Sequence, residues 1–130
     1  MTNVTPIRPP EPEHDLGELI RSYRLYVGLS QRGMAEKLNM ARRSYQRIET
    51  SVDPCPPGLL ADVEKLANHF EHHIDCVLAE SERTGGVTIK VDTDAKYEWE
   101  RSVAGRAAIV ALGEPKCAPI ILTMTDERSA

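Results

Sequence analysis

The sequence predicts a mainly α fold. Short helices joined by tight turns fill residues 15–83, and a small strand–helix–strand segment follows over 87–125. Three observations predict it. Apolar residues recur at helical spacing from Leu16 to Leu78. Polar caps and turn residues at Gly28, Ser30 and Asn39 cut the first part of that stretch into short pieces. Beyond Thr84-Gly85-Gly86, Val87, Ile89 and Val91 alternate with Thr88, Lys90 and Asp92, the period of a strand.

The elements follow in order. Residues 1–14 hold Pro6, Pro9, Pro10 and Pro12 and read as a disordered arm, from which Arg8 could visit a minor groove. A first helix opens at Asp15, with Glu18 three residues on as in a capping box. Leu16, Leu19, Ile20, Tyr23 and Val27 form its apolar stripe, and Gly28 stops it. Ser30 caps a second helix with Met34, Ala35 and Leu38 facing inward, and Asn39 takes a left-handed turn. A third helix runs from about Ala41 to Thr50, burying Tyr45 and Ile48. Two short helices around a tight turn make a helix-turn-helix. The loop Asp53-Pro54-Cys55-Pro56-Pro57-Gly58 leads on, with proline expected in the first turn of the next helix. The stripe from Leu59 to Leu78 fits one long helix or two broken near Asn68-His69. In the tail, a helix is expected over Ala95 to Leu112 and a second strand over Ala118 to Met124, with Asp126 to Ala130 fraying.

Charge narrows the function. The net charge is −4, but its distribution is uneven. From Arg21 to Glu49 the chain carries Arg21, Arg24, Arg32, Lys37, Arg42, Arg43 and Arg47 against Glu36 and Glu49. From Thr50 to Glu82 seven acids face only Lys65. A basic face on an acidic body can neutralise phosphates while discouraging indiscriminate binding. No run approaches the ~20 apolar residues of a membrane span. Cys55, Cys76 and Cys117 are odd in number and far apart, which suits a reducing cytoplasm better than a disulfide framework.

The run Leu29-Ser30-Gln31, Met34-Ala35, Leu38, Arg42-Arg43-Ser44, Arg47-Ile48-Glu49, with the proline loop and leucine-rich helix after it, resembles the Cro/C1-type (XRE) helix-turn-helix family. The resemblance covers about residues 16–78 and implies a five-helix-type DNA-binding head. It implies base contacts from Arg42, Arg43 and Arg47 on the recognition helix. Arginine suits the O6 and N7 edge of guanine, so a guanine-containing half-site is expected. It gives Gln31 a phosphate contact and a buttressing role. Arg24 and Arg32 become candidate phosphate clamps, and Ser44 and Gln46 phosphate or adjacent-base contacts. Tyr45 is expected to pack first, its hydroxyl reaching toward a phosphate. The sequence departs from the family in Ala41 for a capping Ser or Thr, Gly33 for a capping-box Glu, and Thr50-Ser51 without a glycine. The run Arg43-Ser44-Tyr45-Gln46 also resembles small phage-encoded regulators that join such a head to a dimerising tail.

Other signals carry less. His69, His72, His73 and Cys76 share one helix face at metal-ligand spacing, but one helix rarely supplies a whole tetrahedral site, so no metal is expected. No cofactor motif and no nucleophile–base pair is evident, and no enzymatic activity is expected. The tail has too little material for its own core. Its apolar helix face (Trp99, Val103, Ala107, Val110) therefore needs either the same tail of a second subunit, the favoured choice, or its own head. The expectation is a cytoplasmic, nucleoid-associated homodimeric repressor or autoregulator on double-stranded DNA with an inverted-repeat operator. The alternative is an antitoxin or adaptor whose residues 87–125 hold a protein partner.

Overall fold

The computed structural model describes residues 16–125. The expected arm at 1–14, the expected Asp15 cap and the fraying expected at 126–130 lie outside the described residues. Among the described residues five α-helices and two strands follow one another: α1 (Gly17–Val27), α2 (Gln31–Lys37), α3 (Arg42–Glu49), α4 (Leu59–Thr84), β1 (Val87–Val91), α5 (Glu98–Gly113) and β2 (Ile120–Met124). Four of the helices lie within 17–84, and the fifth belongs to the strand–helix–strand segment.

Local chemistry explains most boundaries. Gly28 ends α1 at φ 72°, and Ser30 Oγ caps α2 by accepting from the Gly33 N–H at 3.0 Å. Asn39 turns the chain at φ 60°. The α3 N-cap, Ala41, gives no side-chain bond. After α3 the left-handed position is filled by Ser51, at φ 65°, where no glycine is available. Leu19 leaves the expected α1 stripe and is exposed at the edge of the packed face.

Near α4 one expectation is corrected and one open alternative is decided. The prolines do not enter its first turn. Gly58 is the N-cap at φ 85° and α4 starts at Leu59, so Pro56 and Pro57 lie in the loop before it. The stripe forms one helix of 26 residues, running unbroken through Asn68-His69. In the tail, the helix is preceded by a separate 3₁₀ turn (Ala95–Tyr97) under an Asp94 cap. The second strand starts at Ile120 rather than Ala118, because the Ala118 N–H is taken by Glu82 Oε1 at 2.7 Å.

The strands pair in parallel, Val87 opposite Ile120 through Val91 opposite Met124, with α5 as the crossover. A two-stranded sheet is marginal alone. Here α5 supplies what it lacks, because Trp99, Val103 and Ala107 enter the cluster that also holds Ile20, Met34, Tyr45, Phe70 and Ile74. The Trp99 ring meets Phe70 edge-on at 5.6 Å, and Phe70 meets Tyr26 at 5.8 Å. Of the two choices open for the apolar face of α5, its own head takes Trp99, Val103 and Ala107. Val110, expected on that face, stays exposed, as do Ile109, Leu112, Ile121, Leu122 and Met124.

Candidate nucleic-acid interface

The two sides of α3 differ completely. Tyr45, Ile48 and Glu49 are buried against the head, while Arg42, Arg43, Ser44 and Arg47 stand in solvent. Eight helical residues measure about 12 Å, close to the width of a major groove. Arg42 and Arg43 make no hydrogen bond or ion pair among the described residues. Their guanidinium groups are open to a partner.

The buried side is held by one carboxylate. Glu49 receives Arg24 in a two-pronged pair, Nε to Oε2 at 2.8 Å and Nη2 to Oε1 at 2.9 Å. Gln31 Nε2 donates to Oε1 at 3.0 Å, and the Tyr45 hydroxyl donates to Oε2. Gln46 Nε2 then donates to Gln31 Oε1 at 2.8 Å. Residues from α1, α2 and α3 thus share one acid. Burial by itself would raise the Glu49 carboxyl, but the bonds from Arg24, Tyr45 and Gln31 bring it down to about 2. Burial and the facing carboxylate push the Tyr45 hydroxyl well above its ordinary range. The hydrogen bond to Glu49 also holds the Arg24 guanidinium above its usual range, against the effect of burial.

This network engages two of the residues expected to contact phosphate. Arg24 is largely covered, and its third arm donates to the Leu29 carbonyl at 3.1 Å, so it binds protein where an exposed clamp was expected. Tyr45 is wholly buried, with its hydroxyl committed to Glu49. Gln31 and Gln46 sit half-buried and bonded to each other, at the edge between lock and surface. Arg32 is exposed on α2 in a loose pair with Glu36 at 3.9 Å, and Ser44 is exposed. Arg47 is exposed but occupied, donating to Asp53 at 2.8 and 3.0 Å. Those bonds hold the Asp53 carboxyl below the usual carboxylate range. A base edge would have to displace that carboxylate.

Three acids had no site role in the sequence reading: Glu49, Asp53 and, from the tail, Glu98. A signal existed for the first. Glu49 lies four residues after Tyr45 on the inward side of α3, and a buried carboxylate requires a cation. The histidine face is divided. His73 Nδ1 accepts the Trp99 indole N–H at 2.9 Å, while His72 Nε2 lies 3.6 Å from Cys76 Sγ. Among the described residues no group of three His, Cys, Asp or Glu side chains is arranged to hold a metal ion. Among the same residues no helix is long and apolar enough to cross a membrane.

Residues 15–72 match the family model of a helix-turn-helix domain, which ends partway along α4. No curated protein and no solved structure matches the chain. The segment spanning α1 to the first half of α4 is a helix-turn-helix domain.

Proposed function

We propose that this helix-turn-helix protein is a sequence-specific transcriptional regulator, a dimeric repressor or autoregulator that lays α3 in the major groove of an inverted-repeat operator. The observation that carries the reading is the outer edge of α3. Arg42 and Arg43 stand exposed and unpaired among the described residues, on a helix fixed from behind by Glu49. Those two arginines read base edges, preferring guanine. Arg47 joins them when it exchanges Asp53 for a base or a phosphate. Arg32, Ser44, Gln31 and Gln46 set register on the backbone.

Dimerisation uses the apolar surface that the tail still exposes, Ile109, Leu112, Ile121, Leu122 and Met124. Two heads then address half-sites about one helical turn, ~34 Å, apart. Repression follows from occupying promoter DNA, in the cytoplasm. The same exposed surface favours a second reading, in which the tail holds a different protein as an antitoxin or adaptor does.

Selection of bound duplexes from random DNA at physiological salt tests the proposal. A guanine-containing inverted repeat is expected. Failure to enrich any sequence from a folded protein would overturn the regulator reading, and co-purification of a stoichiometric second protein would then favour the adaptor.

A further inference from the structure

We infer that Glu98 is a positioning residue of the DNA-reading head, closing from the tail a helix cap that α2 leaves open in its own sequence. A capping box has two halves. The N-cap hydroxyl accepts from the N–H three residues on, and a Glu or Gln at that third position returns to the N-cap N–H. In α2 the first half is present, from the Gly33 N–H to Ser30 Oγ. The second cannot be local, because the third position is Gly33.

Glu98 supplies it from 68 residues away. Its Oε1 accepts the Ser30 N–H at 2.9 Å and the Ser30 hydroxyl at 3.1 Å. The protons balance, since Ser30 Oγ donates its single hydrogen to Glu98 and accepts from Gly33. The room is that of the missing side chain, for a Cβ on Gly33 would stand 2.1 Å from Glu98 Oε1. A glycine that weakens a helix interior is here the space for a visiting carboxylate.

The rest of α5 repeats the pattern at helical spacing. Ser102, four residues on, donates its hydroxyl to the Val27 carbonyl at 2.6 Å. Arg106, four further, reaches the Tyr26 carbonyl at 3.4 Å. Those carbonyls end α1, where helices leave acceptors unpaired. Beside this stripe Trp99 is buried on Phe70, with Lys37 Nζ of α2 lying 4.8 Å from its ring centre. One face of α5 thus braces both sides of the α1–α2 connection. Because Gln31 opens α2 and reaches Glu49, the brace also sets the backing of α3. Glu98 affects DNA reading without touching DNA.

The inference rests on the DNA-reading function proposed above, and two readouts keep them apart: amide exchange at Ser30, and affinity of the full chain for its selected duplex. Glu98→Ala should speed Ser30 exchange about 5- to 30-fold, the usual loss for a cap, and weaken specific binding severalfold. Gly33→Ala should do the same by expelling Glu98, although alanine is the better helix former. Glu98→Gln keeps an acceptor oxygen and should stay near wild type. Gly33→Glu should restore protection and affinity in the Glu98→Ala background by closing the box locally. Unchanged Ser30 exchange in Glu98→Ala, or no recovery in the double variant, would overturn the inference. So would full affinity in Glu98→Ala. A wild type that selects no duplex, with the exchange pattern intact, would instead overturn the DNA-reading function.

Discussion

Arg24 and Arg43 carry the same charge into the same head, and what stands opposite each decides its job. Arg24 meets Glu49 and the Leu29 carbonyl under cover of α1 and α3, so its charge is spent inside the protein. Arg43 is exposed on the other side of α3 with no partner among the described residues. The inner side of α3 is a lock, and the outer side is available to bind. Counting arginines on a basic stretch overstates the interface, because one of the seven positive residues between Arg21 and Glu49 is internal cement.

Breaking the lock should have the largest effect. Glu49→Ala leaves Arg24 covered and unpaired and should cost about 3–5 kcal/mol, read by urea unfolding. A loss below about 1 kcal/mol would mean the network is not structural. Acid should act on the same bond. A carboxyl held at about 2 contributes fully above its ordinary value of 4.5, and that contribution is lost as pH falls from there toward 2. Glu49→Gln should flatten this acid limb of a stability profile, and an unchanged limb would assign it to other groups.

Changes on the outer side should leave the fold alone. Arg43→Ala should keep stability within about 0.5 kcal/mol of the parent. It should cost about 1–3 kcal/mol of discrimination at one base position, measured as the ratio of operator to scrambled-duplex affinity. Asp53→Ala is the smallest perturbation, removing an exposed pair that contributes little to stability. It should release Arg47 and raise operator affinity. A fall in affinity would show that Asp53 orients Arg47 for contact.

How much of this could be read in advance follows from sequence separation. The stripe through Ile20, Val63, Phe70 and Ile74 and the Ser30 cap are local patterns, and they gave the helices and their inward faces. The strand alternation at Val87, Ile89 and Val91 was local too. The Arg24–Glu49 pair spans 25 residues and the Ser30–Glu98 bond 68, and no periodicity reports such meetings. Gly33 illustrates the limit. By itself it reads as a defect in a capping box, and only the arrival of Glu98 turns it into a fitted contact. The same applies to Trp99, whose apolar face could serve a second subunit as readily as its own head until Phe70 and His73 are seen against it.

The most direct test of the division across α3 is to measure, on Arg43→Ala, both the thermal midpoint and the ratio of operator to scrambled-duplex affinity at one salt concentration. An unchanged midpoint with a ratio lower by roughly 5- to 150-fold is the predicted result, the equivalent of about 1–3 kcal/mol. An unchanged ratio, or a midpoint that falls with it, would contradict the account.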